Sequence, residues 1–386
     1  MINNITPTIK YIGVDDNDID LFESQYVVPN GMSYNSYLIE DEKIAIMDTA
    51  DARKGKEWWE NLETALDGRT PAYLVVHHME PDHASLIQEV LEKYPDTKVV
   101  TSEKATKMLG NFFPDMDFSG NTLVVKEGDT LCLGTHTLTF YAAPMVHWPE
   151  VMVSYDAKDR VLFSADGFGK FGALSADEDW ACEARRYYFN ICGKYGGPVQ
   201  KLLQKAATLD IEVICPLHGP ILKENLGYYI GLYDTWSRYD VETEGVLIAY
   251  ASIHGGTKAV AEKVADIFRE KSIGKVAVTD LCRDDMAEAI EDAFRMNRLV
   301  LAAASYDGSV FPPMYDFIHH LEMKAFQGRK VGIIENGSWA PTAAKTMKKQ
   351  LEKCKNIEIV EPTVTIWSRL KESDIPQLQA LVDSMC

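Results

Sequence analysis

The chain has 386 residues, 46% of them hydrophobic and 25% charged, which places it with globular proteins and away from disordered or fibrous ones. A net charge of −19 would repel a phosphate backbone, and the longest apolar runs, such as 299–304, fall far below the roughly 18 residues that a bilayer span needs. Neither nucleic acid nor a membrane is expected as a partner.

The N-terminal stretch MINNITPTIKYIGVDD has neither a basic start nor the apolar run of roughly 7–15 residues found in signal peptides, so a cytoplasmic location is expected. Seven cysteines, at 132, 182, 192, 215, 282, 354 and 386, are odd in number and scattered, with no C-x-x-C pair. That pattern suits reduced thiols and gives no iron–cysteine electron carrier. The length is about two to three ordinary domains, and two are expected, divided near the polar YDVETEG at 239–245: residues 1–242 and 243–386.

In the first half, short β-like runs alternate with polar turns. They are SYNSYLIE (33–40), KIAIMDT (43–49), AYLVVH (72–77), KVVTS (98–102), LTFYAAP (138–144), VMVSYD (151–156), RVLFSAD (160–166) and IEVICPLHG (211–219). Between them HASLIQEVLEKY (83–94) has the apolar spacing of one helix face, and a longer helix is expected over about 179–209. The half reads as layered α and β.

The run AYLVVH leads straight into H-M-E-P-D-H, so His78, Glu80, Asp82 and His83 crowd one strand-to-helix loop that Pro81 restricts. The whole chain has only nine histidines. Three further ligand types follow strand ends: His147, Asp166 and His218. Any one of these is as readily a turn former or a hydrogen-bonded core group; together they make a site. Four imidazoles and three carboxylates are too many donors for one ion and suit two. With Asp166 bridging, one ion could take His78, Glu80 and His147, and the other Asp82, His83 and His218. A carboxylate at position 80 and no cysteine favour harder ions such as iron or manganese over zinc. His77, His136, His319 and His320 are read as structural.

From Val246 the rhythm becomes strict alternation of strand and helix. Strands are expected at 246–252, 275–281, 298–305, 330–336 and 357–362, with helices such as 257–270 and 342–353 between them. Runs apolar on both faces indicate a parallel sheet covered by helices on both sides. The first strand ends in a loop of Ser252, Ile253, His254, Gly255, Gly256 and Thr257, where glycines allow close backbone approach and a helix N-terminus favours an anion such as phosphate. No G-x-G-x-x-G follows a strand, so a mononucleotide is expected in place of a dinucleotide. Two other strand ends join the site: Ser305, Tyr306, Asp307 and Gly308, then Asn336, Gly337, Ser338 and Trp339. Tyr306 and Trp339 offer apolar faces to a ring.

These residues carry a resemblance. The H-x-E-x-D-H run with His147, Asp166 and His218, together with NGMSYNSYLI (30–39), HWPE (147–150) and RRYY (185–188), resembles the metallo-β-lactamase-like domain of the flavodiiron proteins. The second half is similar to flavodoxin, whose ligand is FMN. The resemblance spans nearly the whole chain and implies an αββα sandwich followed by a doubly wound five-stranded parallel sheet. It also implies a pair of irons on the seven ligands, FMN, a tyrosine near the irons, here Tyr195, and reduction of dioxygen to water or nitric oxide to nitrous oxide. Family members pair head to tail, so a homodimer or a dimer of dimers is expected, with the flavin of one subunit near the irons of the other. Without an appended C-x-x-C module, electrons are expected from a separate donor, a rubredoxin-like protein or a reduced deazaflavin. A zinc hydrolase of the same superfamily, or a flavin electron carrier that is not a catalyst, are the competing readings. Zinc without a yellow flavin colour would identify the first. The complete ligand set weighs against the second.

Overall fold

The computed structural model describes residues 4–386, so the first three residues of the N-terminal stretch lie outside it. The chain separates into two compact units, one of residues 4–187 and 197–233, the other of 188–196 and 234–386.

The first unit contains two facing sheets. One has six strands in the order β1 (Ile9–Tyr11), β2 (Tyr37–Ile39), β3 (Ile44–Met47), β4 (Pro71–Val75), β5 (Lys98–Ser102) and β6 (Thr122–Val125). The other has five: β7 (Thr130–Cys132), β8 (Thr137–Ala142), β9 (Met152–Asp156), β10 (Val161–Phe163) and β11 (Val213–Cys215). Between them one apolar core gathers Ile39, Met47, Val75 and Val100 from the first sheet with Leu138, Phe140, Phe163 and Cys215 from the second. Burial of each large aliphatic or aromatic side chain there contributes about 1.5–3 kcal/mol. Helices such as Gly55–Leu66 and Glu103–Phe112 bury one face each, giving the αββα sandwich.

The second unit is the expected parallel sheet, in the order β13 (Lys275–Asp280), β12 (Thr243–Ala251), β14 (Met296–Tyr306), β15 (Lys330–Asn336) and β16 (Glu358–Ile359). The fifth position differs from the continuous run expected at 357–362. It is filled by β16 and then by β17 (Val364–Ile366), which pairs with β15 at Ile334–Asn336. Pro362 lies between them and has no N–H to give a ladder. Ser309–Val310 folds back on β14 through Asp307 and Gly308, both at positive φ (48° and 70°), the conformation a two-residue hairpin turn requires.

Two helices also differ from expectation. The segment after β4 begins at Pro81, not His83, with proline at the first turn, and breaks at Ser85–Leu86 before resuming at Ile87–Lys93. The long helix splits into Trp180–Ile191, a short turn at Gly193–Tyr195, and Gly196–Ala206. A side chain at Gly196 would sit 2.2 Å from the Ser237 carbonyl oxygen, so the chain bends there around a close backbone contact. Among the described residues no helix is long and apolar enough to cross a membrane.

Candidate metal centre and flavin edge

Topology explains why distant residues meet. Strand β9 runs antiparallel to both of its neighbours, β8 and β10, and β11 runs parallel to β10, so the chain leaves β8, β10 and β11 at one edge. His147, Asp166 and His218 lie on those three exits, and the loop 78–83 leaves β4 of the facing sheet.

All seven expected ligands come together, in two groups. In the first, His78 Nε2 and His147 Nε2 each stand 3.1 Å from Glu80 Oε2, and 3.5 and 3.1 Å from Asp166 Oδ2. In the second, His83 Nε2 and His218 Nε2 each stand 3.3 Å from Asp82 Oδ2, and 3.3 and 3.8 Å from Asp166 Oδ1. Donor atoms of His78, Glu80, His147 and Asp166 lie within 4.8 Å of one another, as do those of Asp82, His83 and His218. Asp166 thus turns one oxygen to each group.

The donor chemistry fits a pair of cations. Asp82 Oδ1 and Oδ2 and Asp166 Oδ1 are buried and satisfy no hydrogen bond among the described residues. Buried acceptors left this way are costly unless another positive group meets them. The Nε2 atoms of His83 and His218 face each other at 3.0 Å, edges turned to a shared centre. Burial disfavours the Asp166 anion, but the charge of His78 and a hydrogen bond from His147 hold its pKa well below the carboxylate range. Burial likewise opposes the Glu80 anion, yet hydrogen bonds from His147 and His78 bring it to about 2. For His147, hydrogen bonds to Asp166 and Glu80 outweigh burial and lift the pKa to about 9. Glu80 and Asp166 are therefore held as anions, the form that binds a metal.

The backbone around the site is unusual. Met145 (φ 66°), two residues before His147, and Ala165 (φ 50°), just before Asp166, occupy the left-handed region that side chains disfavour. Gly169 leaves little room, since a side chain there would lie 3.0 Å from the Asp166 carbonyl oxygen and 3.4 Å from His218 Cβ.

Several groups hold the candidate ligands; most lie in segments that the sequence singled out, but nothing there assigned them such a contact. Glu150 Oε1 accepts from His78 Nδ1 at 2.7 Å and from the Met79 N–H at 3.0 Å. His218 Nδ1 donates to the Ser33 carbonyl at 2.7 Å. Aromatic rings of Phe22, Tyr187 and Tyr34 surround His218 at 5.4, 5.6 and 6.1 Å between centroids. Tyr195 lies in the second compact unit, with the Lys194 ammonium 5.1 Å from its ring centre. Of the tyrosines between 185 and 195, Tyr187 places its ring against a proposed ligand, His218. Of the histidines read as structural, His77 is held between Asp48 and Ser154, and His136 between Asp156 and Thr8.

In the second unit the loop after β12 has Ile253, His254 and Gly255 exposed, with Ser252 Oγ accepting from the Gly255 N–H at 3.0 Å. The helix Gly256–Glu270 starts there, its first N–H groups at the loop. Other expected contacts have structural partners. Ser305 Oγ accepts from the N–H groups of Thr342 and Ala343. The Asn336 amide exchanges two hydrogen bonds with the Ser368 backbone, both 3.1 Å. Ser338 and Ser368 hydroxyls pair at 2.9 Å. The loop Trp367–Ser368, just past β17, therefore belongs to this edge, although the sequence ended the fifth strand before it. Trp339 is 86% exposed, Trp367 47% and Tyr306 45%, so three aromatic rings on the loops at this edge are open to solvent. An anion-binding turn beside open aromatic faces fits a flavin mononucleotide.

Comparison with known proteins agrees with both halves. Residues 32–219 match the family described as ODP family beta lactamase, and residues 247–365 match a flavodoxin domain. The chain is 28% identical over 357 residues to the anaerobic nitric oxide reductase flavorubredoxin of Escherichia coli, covering 89% of this chain and 74% of that protein. It is 28% identical over 328 residues to an uncharacterized protein of Methanocaldococcus jannaschii, covering 83% and 82%. Among solved structures it is similar to the rubredoxin oxygen:oxidoreductase of Desulfovibrio gigas, with a TM-score of 0.92, 25% identity and coverage of 100% and 98%. The flavodiiron protein of Giardia intestinalis shares the fold at a TM-score of 0.93, with 23% identity and coverage of 100% and 96%.

Proposed function

The chain belongs to the flavodiiron protein family, and from that premise we propose that it reduces dioxygen to water, nitric oxide to nitrous oxide, or both. The observation that carries the reading is the single carboxylate of Asp166, with one oxygen turned to each of two otherwise separate donor groups. His78, Glu80 and His147 would hold one iron, Asp82, His83 and His218 the other, and Asp166 would bridge them. When bound, the flavin supplies two electrons and the two irons one each, the four that dioxygen needs.

The residues do the rest. Glu80, at 16% side-chain exposure, is more open than His147 or Asp82, each at 9%, and marks the side from which a small gas enters. Phe22, Tyr34 and Tyr187 enclose His218 and keep bulk water from that flank. We assign the phenol beside the irons to Tyr187 in place of Tyr195. FMN would bind with its phosphate at Ser252–Thr257 and its ring near Tyr306, Gly337 and Trp339. Asn336, Ser305, Asp307 and Gly308 shape the surrounding loops.

A separate donor such as a rubredoxin-like protein, or a reduced deazaflavin, feeds the flavin; the similarity to the Escherichia coli flavorubredoxin and the Desulfovibrio gigas rubredoxin oxygen:oxidoreductase supports the first. We place the working protein in the cytoplasm as a head-to-tail homodimer or a dimer of such dimers, with the metal half over residues 1–242 and the flavin half over 243–386. Metal and flavin analysis tests the reading. Two irons and one FMN per chain are expected; zinc without flavin would replace the reading with that of a hydrolase.

A further inference from the structure

The two donor groups are alike in what they offer a metal. Each has two imidazoles and one carboxylate of its own, plus one oxygen of Asp166. They differ in what stands behind the imidazoles. His78 Nδ1 is hydrogen-bonded to the carboxylate of Glu150, a side chain with 0% exposure whose second oxygen, Oε2, is buried and satisfies no hydrogen bond among the described residues. In the other group His218 Nδ1 is backed by a neutral carbonyl, that of Ser33, and His83 Nδ1 is buried with no hydrogen-bond partner among the described residues.

We infer that Glu150 is a positioning residue that makes the two metals unequal, binding the ion on His78, Glu80 and His147 more tightly and favouring its higher oxidation state. The inference rests on the diiron reading for its redox part only. Physically, a carboxylate on the far nitrogen fixes which tautomer faces the metal and raises the basicity of the near nitrogen. A more basic ligand stabilises the more highly charged ion. The Met79 N–H shares Glu150 Oε1, which also fixes the turn between His78 and Glu80, so one side chain sets both the charge and the spacing of two ligands.

Glu150→Gln keeps an oxygen that can accept both hydrogen bonds and removes the charge; Glu150→Ala removes both. The flavin-loaded protein, stripped of metal by chelation, is titrated anaerobically with cobalt(II), whose visible bands report each binding step. Wild type is expected to fill two sites in order. E150Q should weaken one step by roughly 10- to 100-fold and leave the other, and the flavin content, unchanged; E150A should weaken the same step further. With iron in place of cobalt, E150Q should also lower the maximum of the mixed-valence electron paramagnetic resonance signal during a redox titration, because the two irons become more alike. Equal weakening of both steps, or none, would overturn the inference. If E150Q folds poorly, the E150A titration decides on the same criterion. Should wild type hold zinc and no flavin, the functional reading fails, while the cobalt titration still decides the role of Glu150.

Discussion

The metal cluster and the flavin edge are both built where strands end, but they are finished in opposite ways. The cluster is closed: its histidines are buried, each Asp166 oxygen faces a different pair of imidazoles, and Glu150 and Ser33 hold two of the rings from behind. The flavin edge is open, with Trp339 and Tyr306 turned to solvent and many of its polar groups tied to neighbouring loops. A metal must be enclosed by fixed donors, because its affinity depends on geometry at a few atoms. A flat ring that exchanges electrons with a visiting donor needs a firm phosphate grip and an accessible face. The cluster should therefore fail all at once when one bridging atom is lost, whereas the flavin edge should weaken by degrees.

The largest effect is expected from Asp166→Ala, which removes the oxygens turned to both groups. Iron should be lost from both sites with FMN retained; metal and flavin content measured on one sample checks this, and two retained irons would show that Asp166 is not the bridge. Glu80→His comes next. Exchanging an oxygen anion for a nitrogen should move the metal content from iron toward zinc and cost iron at least about tenfold in affinity, again without loss of flavin. On the open side, Trp339→Ala should weaken FMN by only about 0.5–1.5 kcal/mol, roughly 2- to 12-fold in Kd by flavin titration, and leave both irons in place.

The smallest effect lies outside both regions and serves as a baseline. Burial opposes the Asp41 anion, but the backbone N–H groups of His136, Thr135 and Glu42 together outweigh it and bring its pKa to about 2. The folded pKa lies below the unfolded value of about 3.9, so the stabilisation is present above that value and disappears as pH falls from about 4 toward 2. Denaturation midpoints of wild type and Asp41→Asn should converge over that window and leave the metal and flavin content untouched at neutral pH.

The two regions were also unequally legible in the sequence. The seven candidate ligands stood out because histidine is scarce in this chain and four of them share one six-residue loop. The parallel sheet was visible from its two-faced apolar runs. What escaped was what depends on contacts between distant segments. Glu150 reaches His78 across 72 residues, and although it ends the HWPE segment, nothing local says which histidine it meets. The break of the long helix at Gly193 and Gly196, which sets Tyr195 apart from Tyr187, also escaped. Trp367 escaped because Pro362 interrupts the fifth strand, so the run that ends at the flavin edge is β17 and not the segment before it.

The central claim is that this closed metal pair and open flavin edge together reduce a gas. Its most direct test is to reduce the iron- and FMN-loaded protein anaerobically and supply dioxygen and nitric oxide in separate trials. The account predicts consumption of at least one gas, either four electrons per dioxygen with no hydrogen peroxide released, or two nitric oxide molecules per nitrous oxide. A protein that holds two irons and FMN, is fully reduced, and consumes neither gas would contradict it.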